Sequence, residues 1–203
     1  MSKSGRPVKA VARHDLSETM DKEEMIRLKE MHLAPYIQLA TSLIGKRRRS
    51  GGNMFRHQID TMATLMDYGY IDSVLLKASL VHDILEDIPD FDRDRLVDLD
   101  EEGGEVFKLV LEVTRRPVEK KEDFLTRILE FGSPQSLILK SADRISNMIS
   151  LGYTIDVAFI QRYADETEKY IYPIAERANH AMYVELQELV STRRSFLAQC
   201  FEI

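Results

Sequence analysis

The sequence predicts an all-α fold, a compact multi-helix domain, on three observations. From Met25 onward, apolar residues recur three and four apart, the spacing of one helix face. No segment shows the sustained alternation of a half-buried strand. Capping residues stand just before the periodic stretches. The clearest is Ser133-Pro134, a cap followed by proline at the first helical position. A chain of 203 residues fits one domain and can bury a core without disulfide or metal staples.

Each element has its own signal. Met1 to His14 is polar, carries Lys3, Arg6, Lys9 and Arg13, and has no apolar stretch, so it is not a secretory signal. Residues 1–20 are expected to be a flexible leader, and residues 21–203 a single domain. Met25, Leu28, Met31, Leu33 and Ile37 begin the helical pattern, and Leu39, Leu43 and Ile44 carry it past Pro35. A second block runs from Met54 to Tyr68. Asp72 can cap a third, from Ser73 to about Asp87, which Pro89 ends. Arg93 to Leu99 is a short helix. Val106, Leu109, Val110 and Val113 mark another, and Asp123 to Phe131 is short and amphipathic. Pro134 to about Leu151 follows its cap. The last block spans Asp156 to about Val190, with one stripe from Ile160 through Ala181 and a kink expected at Tyr172-Pro173.

Composition narrows the function class. The apolar fraction is 44% and the charged fraction 31%, ordinary for a soluble globular protein. No apolar run approaches the ~20 residues of a membrane helix, so no membrane association is expected. The net charge of −6 argues against general nucleic-acid binding. Cys200 is the only cysteine, which rules out an intrachain disulfide and a cysteine-based zinc site. A reducing compartment follows, and a cytoplasmic location is expected.

The chemistry concentrates in Val74 to Asp87, which reads VLLKASLVHDILED. It is apolar almost all round, so the helix should be buried. Its last turns nevertheless carry His82, Asp83, Glu86 and Asp87. At helical spacing, His82 lies over Glu86 and Asp83 over Asp87. Three carboxylates on a buried helix lose hydration at several kcal/mol per ion. A divalent cation is the simplest compensation. The plainer reading is a solvated final turn. Two further segments matter. The basic run Lys46, Arg47, Arg48, Arg49 leads through Ser50-Gly51-Gly52 to a helix carrying His57. Asp143 lies among Ile138, Leu139, Ala142 and Ile145 and needs a partner if that face is buried. Taken alone, the basic run can be a solvated loop, His57 a satisfied core histidine, and Asp143 the partner of an arginine.

Taken together, the order His57, His82-Asp83, Asp143 resembles the HD superfamily of metal-dependent phosphohydrolases. The two histidines are 25 residues apart, and His82 and Asp143 are 61 apart. Arg48, Ser50-Gly51, His82-Asp83-x-x-Glu86-Asp87, Val113-Thr114 and Ala142-Asp143-Arg144-x-x-Asn147-Met148 resemble the hydrolase domain of the RelA/SpoT family. The downstream stretch from Glu166 to Arg177 is similar to the segment that closes that domain. The resemblance covers about Ile37 to Leu189 and is of the stand-alone small alarmone hydrolase type.

The resemblance implies an all-α HD-domain phosphohydrolase with one divalent ion, usually manganese, on His57, His82, Asp83 and Asp143. Imidazole and carboxylate without sulfur suit a Mn²⁺-like ion, although ligand type does not exclude zinc or iron. Glu86 and Asp87 match the family's catalytic acidic pair, which orients or deprotonates the attacking water. Arg48 matches an arginine that packs on the purine base. Asn147 and Ser150 match nucleotide contacts, and Arg49 and Ser50 match polar loop residues beside them. The implied substrates are guanosine tetra- and pentaphosphate, cut to GDP or GTP and pyrophosphate. Some positions depart from the family. Gln58 stands where proline is usual after the first histidine. Gly52, Asn53 and Met54 replace glutamate, proline and tyrosine, and Ser146 and Ser150 replace histidine and threonine. These departures open two alternatives: NADPH or an adenine alarmone as the substrate, or a non-catalytic nucleotide sensor. They also suggest a looser loop at Gly51-Gly52.

Overall fold

The helix Pro134–Ser150 is the axis around which the other elements pack. Ser133 starts it, its side chain accepting from the Ser136 N–H, and eleven of its residues are buried. In the computed structural model, which describes residues 21–154 and 156–201, it is the ninth α-helix. In chain order the helices are α1 (Lys22–Glu30), α2 (Ala34–Ala40), α3 (Met54–Asp67), α4 (Ser73–Val81), α5 (Ile84–Asp87) and α6 (Asp94–Val97). They continue with α7 (Gly103–Val113), α8 (Lys121–Phe131), α9 (Pro134–Ser150), α10 (Val157–Glu166), α11 (Tyr172–Ala178) and α12 (His180–Phe201). No strand occurs among the described residues, only an isolated bridge between Arg47 and Asn53. The fold is all-α, as the periodicity predicts. The leader assigned to residues 1–20 lies outside the described residues.

α9 packs against α3, α4, α7, α11 and α12. One continuous core runs from Tyr36 on α2 to Val190 on α12. α4 is buried from Leu75 to Val81 without a polar face. Each leucine or valine of that run contributes roughly 1.5–3 kcal/mol through burial. The expected markers hold: Asp72 caps α4 through the Leu75 N–H, and Val106, Leu109, Val110 and Val113 are all buried on α7.

Four boundaries differ from the expectation. The first helical pattern is two helices, because Met31 is extended and α2 restarts with Pro35 in its first turn. The helix expected from Ser73 to Asp87 breaks at His82-Asp83. There, His82 Nδ1 takes the Ser79 carbonyl at 2.8 Å, the group that the Asp83 N–H would use in a continued helix. The break or kink expected near Tyr172 is present: Pro173 sits in the first turn of α11, directly after a π-helical turn at Thr167–Ile171 that separates α10 from α11. A further break, not expected, falls at Asn179, whose backbone is extended and whose Oδ1 caps Ala181 N (2.8 Å) and Met182 N (3.3 Å). α12 then runs to Phe201, beyond Val190.

Candidate active site

Three elements bring the four histidine and aspartate side chains together. His57 comes from the first turns of α3, which Asn53 caps through the Arg56 N–H. His82 and Asp83 come from the turn between α4 and α5, and Asp143 from the buried face of α9. His57 Nε2 lies 3.5 Å from Asp83 Oδ2 and 3.0 Å from Asp143 Oδ1. His82 Nε2 lies 3.2 Å from Asp83 Oδ2 and 3.7 Å from Asp143 Oδ1. Donor atoms of His57, His82 and Asp83 fall within 4.8 Å of one another, a group that could hold a metal ion.

The ring nitrogens away from the cluster are held. A carbonyl only accepts, so His82 Nδ1 carries the proton shared with Ser79, which leaves Nε2 facing the cluster. Ser146 Oγ meets His57 Nδ1 at 2.9 Å, and His57 Nε2 donates to Asp143 Oδ1 at 3.0 Å. His82 Nε2 is buried and makes no hydrogen bond, because Asp83 approaches it without hydrogen-bond alignment. An inward-facing nitrogen of this kind beside two carboxylates is what a divalent ion needs, and the donor set passes that test. The carboxylates are also braced. Gln58 Nε2 donates to Asp83 Oδ2 at 2.9 Å, Asn147 Nδ2 to Asp143 Oδ1 at 2.5 Å, and Lys140 Nζ to Asp143 Oδ2 at 2.7 Å.

Electrostatics follow from the crowding. Burial alone would disfavour the His82 imidazolium, but the neighbouring charges of Asp83 and Asp143 outweigh it and push the group up to about 10. Burial would likewise raise Asp83, yet the two histidines hold it well below the usual carboxylate range. Asp143 is also lowered, with Lys140 the largest opposing influence to burial. Asp87 moves the other way. Burial raises it, and the negative charges of Asp83 and Glu86 add to the rise.

The broken helix changes the acidic patch. Asp87 stays one turn from Asp83, with its N–H on the Asp83 carbonyl at 2.9 Å. Glu86 does not stack on His82 through a continuous helix. Its Oε1 accepts instead from the Arg115 backbone N–H at 2.7 Å, at the start of the α7–α8 connection. Arg127 braces that connection through Glu119 and the carbonyls of Glu112 and Thr114.

The basic loop is closed rather than loose. Met54 N–H bonds the Lys46 carbonyl at 2.9 Å and Arg48 N–H the Gly52 carbonyl at 3.2 Å. Gly51 and Gly52 turn it at φ 95° and 73°, values that favour glycine. Arg48 reaches α9, donating to Ser150 Oγ at 3.0 Å and Asn147 Oδ1 at 2.6 Å. Arg48, Asn147 and Ser150 therefore form one hydrogen-bonded group that ends on Asp143. Arg49 points elsewhere, pairing with Asp156 at 2.5 Å and lying over the Phe159 ring. Ser50 is buried beside it.

A cavity of about 450 Å³ opens over the cluster. His57, Asp83, Glu86 and Asp143 line one side. Arg47 to Arg49, Arg115, Lys121, Lys140 and Arg144 line the rest, with Phe159 and Tyr163. A chain of net charge −6 thus turns a cationic wall toward this cavity. Sequence reasoning did not find Lys140, Lys121, Arg144 or Arg115. Lys140 had a signal, since it stands one helical turn before Asp143. Arg144, nearly fully buried, pairs with Glu166 at 2.6 Å, stacks on Tyr163, and ties α9 to α10.

The fold and the site together define a helical domain built around a His/Asp metal-type centre. No family model matches the chain, and no curated relative does. Among solved structures it is similar to a metazoan ortholog of SpoT, described as hydrolysing ppGpp and playing a role in starvation responses. The two share 21% identity and superpose with a TM-score of 0.62, over 85% of this chain and 96% of that one. The all-α fold expected from the HD resemblance is therefore the fold this chain has. No helix among the described residues is long and apolar enough to cross a membrane.

Proposed function

We propose that this protein is a metal-dependent hydrolase that removes the 3′-pyrophosphate of guanosine alarmones, (p)ppGpp, giving GDP or GTP and pyrophosphate in the cytoplasm. One observation carries this reading: His57, Asp83 and Asp143 of the donor cluster, Glu86 of the acidic pair and a cationic wall line a single cavity. That combination suits a substrate with several phosphates. The structurally similar protein described as hydrolysing ppGpp supports the choice of nucleotide.

His57, His82, Asp83 and Asp143 would hold one divalent ion, with Mn²⁺ the family's usual choice. Bound there, it supplies Lewis-acid stabilisation of charge on phosphorus and makes water a better nucleophile. The chain's own groups do the rest. Asp87, raised by burial and its acidic neighbours, is suited to take the proton of the attacking water. Glu86, held by the Arg115 N–H, orients that water. Arg48 packs on the base, with Asn147 and Ser150 fixing its guanidinium, and Arg49 and Ser50 complete that end of the loop. Arg115, Lys121 and Lys140 line the path of the phosphates.

The deciding experiment is product analysis with ppGpp and Mn²⁺. GDP together with intact pyrophosphate is expected. Orthophosphate as the sole product, or faster turnover of NADPH or an adenine nucleotide, would replace the alarmone assignment with another phosphorylated nucleotide. Tight ppGpp binding without turnover would make the protein a sensor.

A further inference from the structure

We infer that Gln58 is a positioning residue for the metal centre: its side-chain amide aims one lone pair of Asp83 Oδ2 at the two histidines. The inference rests on the metal-dependent reading above. Gln58 directly follows His57 on α3 and is fully buried. Its Nε2 donates at 2.9 Å to Asp83 Oδ2, the same oxygen that lies 3.5 Å and 3.2 Å from His57 Nε2 and His82 Nε2. A carboxylate oxygen has two lone-pair directions. With the amide on one, the other faces the cluster, which favours coordination through that single oxygen.

The two carboxylates are held differently. Asp143 is gripped by Lys140 on Oδ2 and by Asn147 on Oδ1. Asp83 has no lysine or arginine partner among the described residues, so its orientation depends on Gln58. The choice of a neutral donor has a physical reason. A second ammonium beside this cluster would repel the cation it is meant to receive, whereas an amide orients the carboxylate without adding charge. The amide cannot be reversed, because Oε1 would then face a carboxylate oxygen. As placed, Oε1 is buried and has no partner among the protein's groups. A methionine of similar shape would avoid that desolvation cost, so the amide is a poor choice for packing alone.

The test is titration of Mn²⁺ into metal-stripped wild type, Gln58→Met and Gln58→Leu, followed by calorimetry, with melting curves of the stripped proteins. Wild type should take up about one equivalent. Both variants should bind Mn²⁺ roughly 10- to 100-fold more weakly, the usual loss when a partner of a metal ligand is removed. Their stripped forms should melt no lower than wild type. The Mn²⁺ concentration for half-maximal turnover should rise by the same factor as the dissociation constant. Unchanged Mn²⁺ affinity in either folded variant would overturn the inference and leave the metal reading intact. Failure of wild type to bind Mn²⁺ would overturn both. If neither variant folds, or both melt well below wild type with unchanged affinity, Gln58 is a packing residue and the inference is wrong.

Discussion

α4 buries two charged clusters, and they differ in one respect. In its middle, Lys77 is almost fully enclosed and meets Asp100 at 2.6 Å and Glu102 at 2.5 Å. Tyr36 donates to Asp100 at 2.8 Å and Ser73 to Glu102 at 2.6 Å, so every charged group there has a hydrogen-bond partner. At the C-terminal end of α4, His82 joins His57, Asp83 and Asp143, with Lys140 as the only ammonium. Each cluster sets two carboxylates against one ammonium, but at the second His82 Nε2 is buried without a hydrogen bond, among donor atoms that could hold a metal ion. The first cluster is closed by its hydrogen bonds and the second is open. A closed cluster serves the fold. An open one, with its carboxylates and imidazoles braced from behind, could hold a metal ion. Burial of charge does not separate the two; an unpartnered donor atom in a cluster beside a cavity does.

The largest expected contrast comes from removing one charge from each cluster. Asp83→Ala should abolish Mn²⁺ uptake, measured by elemental analysis, and bring turnover to background. Mn²⁺ should also stop raising the melting temperature, whereas saturation at about 100 times the dissociation constant stabilises wild type by about 2.7 kcal/mol. Mn²⁺ uptake by Asp83→Ala equal to wild type would erase the distinction between the clusters.

The next contrast lies within the open site. Glu86→Gln and Asp87→Asn, made singly, should retain Mn²⁺ and nucleotide binding while turnover falls by ~10²-fold or more. Wild-type turnover in either variant would remove that residue from the chemistry.

The closed cluster should answer in stability instead. Lys77→Met strands two carboxylates that keep partial contact with water. The loss should be about 2–3 kcal/mol by denaturant unfolding, less than the 3–5 kcal/mol of a fully buried broken pair. Turnover per folded molecule should not change.

The smallest effect is the pH dependence of that same stability. Burial raises Asp100, but its bonds from Lys77 and Tyr36 outweigh this and lower it. Glu102 is lowered too, first by the bond from Lys77. Lowered carboxylates contribute stability that is present above their unfolded values, near 4, and is lost as pH falls through the folded ones. Lys77 is raised: burial opposes its charge, and the bonds to Asp100 and Glu102 prevail. Its contribution is present below the unfolded lysine value and fades as pH rises through the folded one. Wild type should therefore hold a plateau at neutral pH and lose stability in acid. Lys77→Met should flatten the acid slope. An unchanged slope would show that the cluster does not govern it.

The same helix shows how far sequence reasoning reached. The run from Leu75 to Val81 is apolar, and its burial was legible because every helix face is covered. Lys77 sits in that run, yet nothing nearby in sequence announces Asp100 and Glu102, which arrive from the start of α7 and the turn before it. The break after Val81 was also hidden. It depends on His82 Nδ1 turning back to Ser79, and a regular pattern of apolar residues does not record which acceptor a side chain will choose. The break at Asn179 left a better trace, because asparagine is a preferred helix cap.

By itself, the sequence determined the all-α class, the principal caps at Asp72 and Ser133, and the grouping of His57, His82, Asp83 and Asp143, which the fold brings together. Those properties are local or depend on recognising a motif. The tertiary structure alone decided that Glu86 answers to the Arg115 N–H, that Arg48 is tied through Asn147 to Asp143, and that Gln58 holds Asp83. Each of those contacts joins residues 25 or more positions apart, except the one-turn bond from Asn147 to Asp143. Helical periodicity fixes which face of an element is buried, but only the packing of α3, α4 and α9 against one another fixes which polar groups meet there.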